Sequence, residues 1–111
     1  MPSASQLWKL DGNTLTNKAN LWTSNDEWNI RTRDKFVHIE NISKNKVLGI
    51  TQAGNVIEED FVEDKPRQLW KIGTSHADGY FILENSDTNK LLTAISPSRL
   101  ETKGNSNLID K

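Results

Sequence analysis

The chain has 111 residues, with fourteen Lys and Arg against fifteen Asp and Glu and a net charge of −1. That length suits a single domain over residues 1–111, and so balanced a charge lacks the strong positive field that drives phosphate binding through counterion release, which argues against nucleic acid as a partner. With no cysteine and a hydrophobic fraction of 34%, disulfides and thiolate chemistry are excluded and the core must be economical. No apolar run approaches the ~18 residues of a membrane helix. The opening Met1-Pro2-Ser3-Ala4-Ser5 lacks the charged and apolar regions of a signal peptide, so the expectation is a cytoplasmic protein, or one secreted without a visible leader.

Along the chain, apolar residues alternate or pair in short runs punctuated by Asn, Asp, Gly and Ser, and no stretch keeps a helical period. The pattern predicts strands near residues 6–10, 13–17, 20–23, 27–32, 36–41, 46–51, 55–61, 67–72, 79–85, 90–95 and 99–103. Connections this short fit an up-and-down or trefoil barrel.

Internal repeats sharpen that reading. Phe36-Val37-His38-Ile39-Glu40-Asn41 followed by Asn45-Lys46-Val47-Leu48 returns as Tyr80-Phe81-Ile82-Leu83-Glu84-Asn85 followed by Asn89-Lys90-Leu91-Leu92, at a constant offset of 44. Gln6-Leu7-Trp8-Lys9-Leu10 returns as Gln68-Leu69-Trp70-Lys71-Ile72, and Glu27-Trp28-Asn29-Ile30 is a worn copy. Thr14-Leu15-Thr16-Asn17 before Leu21-Trp22 is a shortened version of Ile39-Glu40-Asn41 before Val47-Leu48. Three tryptophan strands therefore define three units, the first abbreviated, and the N-terminal strand is expected to complete the last unit by closing the barrel. Trp8, Trp28 and Trp70 are expected in the core, each with an acceptor for its N–H, and Trp22 joins them because it aligns with Leu48 and Leu92.

These residues resemble the R-type (ricin B-like, QxW) lectin domain, in which a Gln-x-Trp strand closes each of three units. Gln6-Leu7-Trp8 and Gln68-Leu69-Trp70 carry that mark, while Asp26-Glu27-Trp28 keeps only its tryptophan. The resemblance implies an all-β fold of the β-trefoil type, a pseudo-threefold barrel with a hairpin cap. It also implies a carbohydrate-binding module that uses no cofactor or metal and is not an enzyme. The family's sugar sites place an Asp after the second strand, an aromatic on the third and an Asn before Gln-x-Trp. Here the first place holds Thr23, Gly49 and Thr93, the second Asp60 and Lys103, and the third Asp26, Arg67 and Ser5, so the implied sites are degenerate.

The ligand-binding residues this leaves are Thr93, Glu101 and Ser5 in one group and Asn55, Asp60 and Arg67 in another, with a glycan of a glycoprotein or glycolipid as partner. The alternative is a trefoil protease inhibitor or protein-interaction module acting through a surface loop such as Glu63 to Arg67, stiffened by Pro66. A homodimer would cover any sheet edge left open.

Other clusters point to ordinary surface chemistry. The acidic run Glu58-Glu59-Asp60 with Glu63-Asp64 lacks calcium-loop spacing, and His38 and His76 are too far apart for a zinc set. His38 holds the place that Ile82 takes in the repeat. Arg31, Arg33 and Lys35 around Asp34 mark a charged hairpin turn, and Asn41-Ile42-Ser43 has a glycosylation pattern that its repeat mate lacks.

Overall fold

The computed structural model describes residues 2–74 and 76–105. Along it, β1 (Trp8–Asp11) and β2 (Thr14–Asn17) make a hairpin, as do β3 (Trp28–Arg33) and β4 (Phe36–Asn41). The same holds for β5 (Lys46–Ile50) with β6 (Val56–Glu59), β7 (Trp70–Gly73) with β8 (Ile82–Asn85), and β9 (Leu91–Ser96) with β10 (Arg99–Lys103). Gln6 and Gln68 each end a short 3-10 turn, Ala4–Gln6 and Pro66–Gln68, so the glutamine lies just before the strand and the tryptophan begins it.

The three tryptophan hairpins share one register: Trp8 opposite Asn17, Trp28 opposite Asn41 and Trp70 opposite Asn85. They also join one another in the same way. Trp70 pairs with Val37, Trp8 pairs with Phe81, and the Trp28 N–H donates to the carbonyl of Asn13 at 2.8 Å. Val37, Phe81 and Asn13 occupy equivalent places in the repeat, so the links follow a pseudo-threefold axis. This is a β-trefoil with its first unit abbreviated. The N-terminal hairpin reaches the third unit through the Trp8–Phe81 bridge, with bonds of 2.8 and 2.9 Å, and not through a continuous ladder: β1 and β2 form a sheet of their own beside the eight-stranded one.

The hairpins β5–β6 and β9–β10 belong to the second and third units. The expected strand at residues 20–23 does not form. Only residues 18–27 separate β2 from β3, too few to supply both that strand and the hairpin partner that β5 and β9 find in β6 and β10. Turns elsewhere follow the repeat, with Asn45 and Asn89, 44 positions apart, both left-handed at φ 56° and 61°. Asn tolerates that conformation better than most side chains, which gives the recurring Asn-Lys its physical reason.

Trp8, Trp28 and Trp70 are buried to within 2% of fully, with Ile39, Leu48, Leu83 and Leu92 around them. A tryptophan that removes 150–250 Å² from water gains about 4–6 kcal/mol before entropic costs, so these side chains dominate an otherwise lean core. Trp22 is buried too, and its ring meets Trp8 and Trp28 edge-on, each at 5.6 Å between centroids. Where the other units supply Leu48 and Leu92 on a strand, the abbreviated one supplies a larger ring from an irregular segment.

Candidate functional site

The place where a third cap hairpin would sit is a cleft of about 370 Å³, within the ~300–1,000 Å³ range of small-molecule sites. Trp22, Trp28, Leu48, Val56 and Leu100 form its apolar floor, and Thr23, Ser24, Asp26, Lys44, Glu58 and Ser98 stand around it. One wall is tied by the Thr23 N–H, which donates to the carbonyl of Pro97 at 3.2 Å.

The missing hairpin also changes how the tryptophans are satisfied. Trp70 Nε1 donates to the Leu48 carbonyl at 3.1 Å and Trp8 Nε1 to the Leu92 carbonyl at 3.0 Å, an equivalent pair of bonds. Trp28 has no such strand beside it and donates instead to Ser24 Oγ at 3.1 Å. That hydroxyl also accepts the Asp26 N–H at 3.1 Å, which fixes the segment carrying Asp26.

At the rim two carboxylates converge. Asn41 Nδ2 donates to Asp26 Oδ2 and to Glu58 Oε2, both at 2.9 Å, and Lys44 Nζ lies 3.3 Å from Glu58 and 3.6 Å from Asp26. Glu58, followed by Asp26, raises the Lys44 pKa above its ordinary value, so the ammonium stays charged. The arrangement sets acceptor oxygens and a cationic donor beside an apolar floor. It also gives Asn41 a structural task, since the residue is 1% exposed and its amide nitrogen donates to both carboxylates, leaving no room for a glycan in the folded protein.

The six residues singled out from the sequence lie elsewhere, in a different grouping. Thr93 and Glu101 face each other across β9 and β10, and Glu101 also bridges to Asn55, so Asn55 joins that group and not Asp60 and Arg67. Thr93 is buried: its hydroxyl donates to the Leu91 carbonyl at 2.9 Å and accepts Gln6 Nε2 at 3.3 Å. Ser5 supports from behind, its carbonyl accepting Asn17 Nδ2 at 2.9 Å. Glu101 is paired with Arg99, Asp60 with Lys46 at 2.6 Å, and Arg67 with Asp87 at 3.3 Å.

The structure gives a physical reason for one departure from the family's sugar-site residues and corrects the placing of another. At Gly49 a side chain would run into the Glu59 carboxylate and the stem of Gln68. Gln68 Nε2 donates to Glu59 at 2.9 Å and to the Asp60 carbonyl at 2.8 Å, while its Oε1 accepts the Val62 N–H at 2.8 Å. Asp26 stands two residues before Trp28, as Gln6 and Gln68 stand before their tryptophans, so it takes the glutamine's place, and the place expected for the asparagine is held by Asn25 and not by Asp26.

The cleft was not foreseen from the sequence, although the ten-residue gap between repeats was visible. Its rim unites residues from separate units, which no local pattern reveals. Among the described residues no group of three or more His, Cys, Asp or Glu could hold a metal ion. Likewise, no described helix is long and apolar enough to cross a membrane.

A family model for the ricin-type beta-trefoil lectin domain-like family matches residues 24–106. The match covers most of the chain, takes in the Trp28 and Trp70 units and begins just past Trp22. The protein belongs to this family. No curated protein matches the sequence.

Proposed function

We propose that the protein binds glycans at the cleft beside Trp22 and Trp28 and does not transform them. The family is one of carbohydrate-binding modules and is in general non-catalytic, which supports this reading. The observation that carries it is the pairing of Asp26 with Glu58, from two different units, by Asn41 and Lys44 at the edge of an apolar floor. Sugar hydroxyls need convergent acceptors and donors, and the ring's carbon face needs apolar surface. Asn55, Asp60, Arg67 and Glu101 remain in the proposal as shallow secondary contacts, with Thr93 and Ser5 as their supports.

The test is a broad glycan array with labelled protein, then calorimetry on any hit with Glu58→Ala and Glu101→Ala. Loss of a charged hydrogen-bonding group predicts at least about tenfold weaker binding for Glu58→Ala. A blank array, with the protein shown folded by tryptophan fluorescence, overturns the reading.

A second reading rests on the loop after β6. Phe61 and Val62 are 50% and 48% exposed on backbone clamped by Gln68, the geometry of a rigid protein-binding loop. Inhibition across a protease panel, lost in Phe61→Ala, would favour it.

A further inference from the structure

We infer that Phe61 and His38 form a second binding place, separate from the cleft, which takes the apolar face of a neutral pyranose; the inference rests on the glycan-binding reading. Phe61 is the most exposed large hydrophobic side chain among the described residues, and its ring stands nearly perpendicular to that of His38, 4.8 Å between centroids. A depression of about 280 Å³ lies against the pair, with Arg31, Arg33 and Glu63 on its other sides. A second depression, of about 360 Å³, lies between Phe61, Glu40, Asn45 and Lys46. Phe61 is therefore a ridge between two hollows, each with polar side chains in its lining, a shape in which a stacked ring can reach hydrogen-bonding groups on both sides.

His38 supplies the independent indication. It is 3% exposed, and its Nε2 has no hydrogen-bond partner. Buried polar atoms are nearly always satisfied, so an unsatisfied one in a residue that lines the depression marks a missing partner. Packing alone does not demand an imidazole there, because the repeat fills the equivalent place with Ile82. Burial lowers the His38 pKa and keeps the ring neutral, with one nitrogen a donor and the other an acceptor, as a hydroxyl requires.

The charges select a neutral ligand. Arg31 is paired with Glu40 at 3.4 Å, Arg33 with Glu63 and with Asp64 at 3.7 Å, and Lys46 with Asp60 at 2.6 Å. Each cation is balanced in place, so the patch offers forked donors and carboxylate acceptors without the surplus positive charge that a phosphate or sulfate needs. The platform is also preorganised: Gln68 grips the backbone on either side of Phe61, at the Asp60 carbonyl and the Val62 N–H, each at 2.8 Å.

The experiment is amide NMR shift mapping of the wild type, Phe61→Ala, His38→Ile and Glu58→Ala, titrated with galactose, N-acetylglucosamine and mannose. The expected result is a set of shifts at residues 38 and 60–63 that survives Glu58→Ala and weakens about tenfold or more in Phe61→Ala. His38→Ile installs the residue of the repeat and should keep the fold while weakening the same set. Shifts at the cleft alone, or a Phe61 set unchanged in Phe61→Ala, overturn this inference and leave the cleft reading standing. No shifts with any sugar, together with a blank array, overturn both.

Discussion

The indole Nε1 of Trp8 donates a 3.0 Å hydrogen bond to the carbonyl of Leu92, 84 positions further along the chain. Trp70 makes the equivalent bond to Leu48 across 22 positions. One bond thus spans nearly the whole described chain and the other stays within neighbouring units, yet both serve the same place in the repeat. Trp8→Phe should cost about 2–4 kcal/mol, from the lost ring volume and an unsatisfied buried carbonyl, read as a lower urea midpoint at unchanged slope.

Gln68→Ala should free the loop after β6. It removes the bonds to Glu59, the Asp60 carbonyl and the Val62 N–H, for an expected loss of about 2–3 kcal/mol. Hydrogen exchange at the Val62 amide should accelerate more than at the core amides of β4, and equal acceleration would show that the glutamine stabilises the fold without clamping this loop.

Asn41→Asp, nearly isosteric, should be costly for an electrostatic reason. It replaces a donor shared by Asp26 and Glu58 with a third carboxylate, at an expected loss of about 2 kcal/mol or more at neutral pH. The loss should shrink in mild acid, as the carboxyl protonates and donates again, which thermal melts across pH would record. Mass spectrometry of protein made in a glycosylating host should likewise find Asn41 unmodified.

Burial lowers the His38 pKa from its ordinary 6.5, with Arg33 and Arg31 adding to the fall and Glu40 opposing it. Below about pH 6.5 the unfolded chain binds a proton that the folded one resists, so this group's contribution to stability is lost as the pH falls through that value towards the folded pKa. Comparing melting temperature against pH for the wild type and His38→Ile isolates the effect, and the variant's acid limb should be flatter.

Much of this fold was legible because the repeat is written in residues whose jobs are local. The Trp strand, the closing Asn and the Asn-Lys turn each announce a backbone state, and the offset of 44 reappears in the Leu48 and Leu92 acceptors and in the left-handed Asn45 and Asn89. Residues 20–23 misled because Leu21-Trp22 keeps the apolar pattern of a strand, although Leu21 is exposed and Trp22 fills the core from irregular backbone. The candidate sites were harder to read. Asp26 and Glu58 meet through Asn41 only because separate units pack together, and Phe61 meets His38 only because the loop after β6 folds back over β4 of its own unit. Family slots pointed to Thr93, whose hydroxyl bonds to the Leu91 carbonyl in the interior, and to Ser5, whose carbonyl accepts Asn17 Nδ2.

The Trp8–Phe81 bridge, with Gln6 Nε2 donating to the Gly104 carbonyl at 2.9 Å, makes the third unit depend on the earliest described part of the chain. During synthesis that segment can pair with β2 but must wait for its partners in the third unit until residues near Phe81, Leu92 and Gly104 have emerged. The second unit, whose hairpins find partners close in sequence, can assemble first. Sequence separation of this size slows folding, so the closing step should set the rate, and strengthening it should speed folding more than an equal gain inside the second unit.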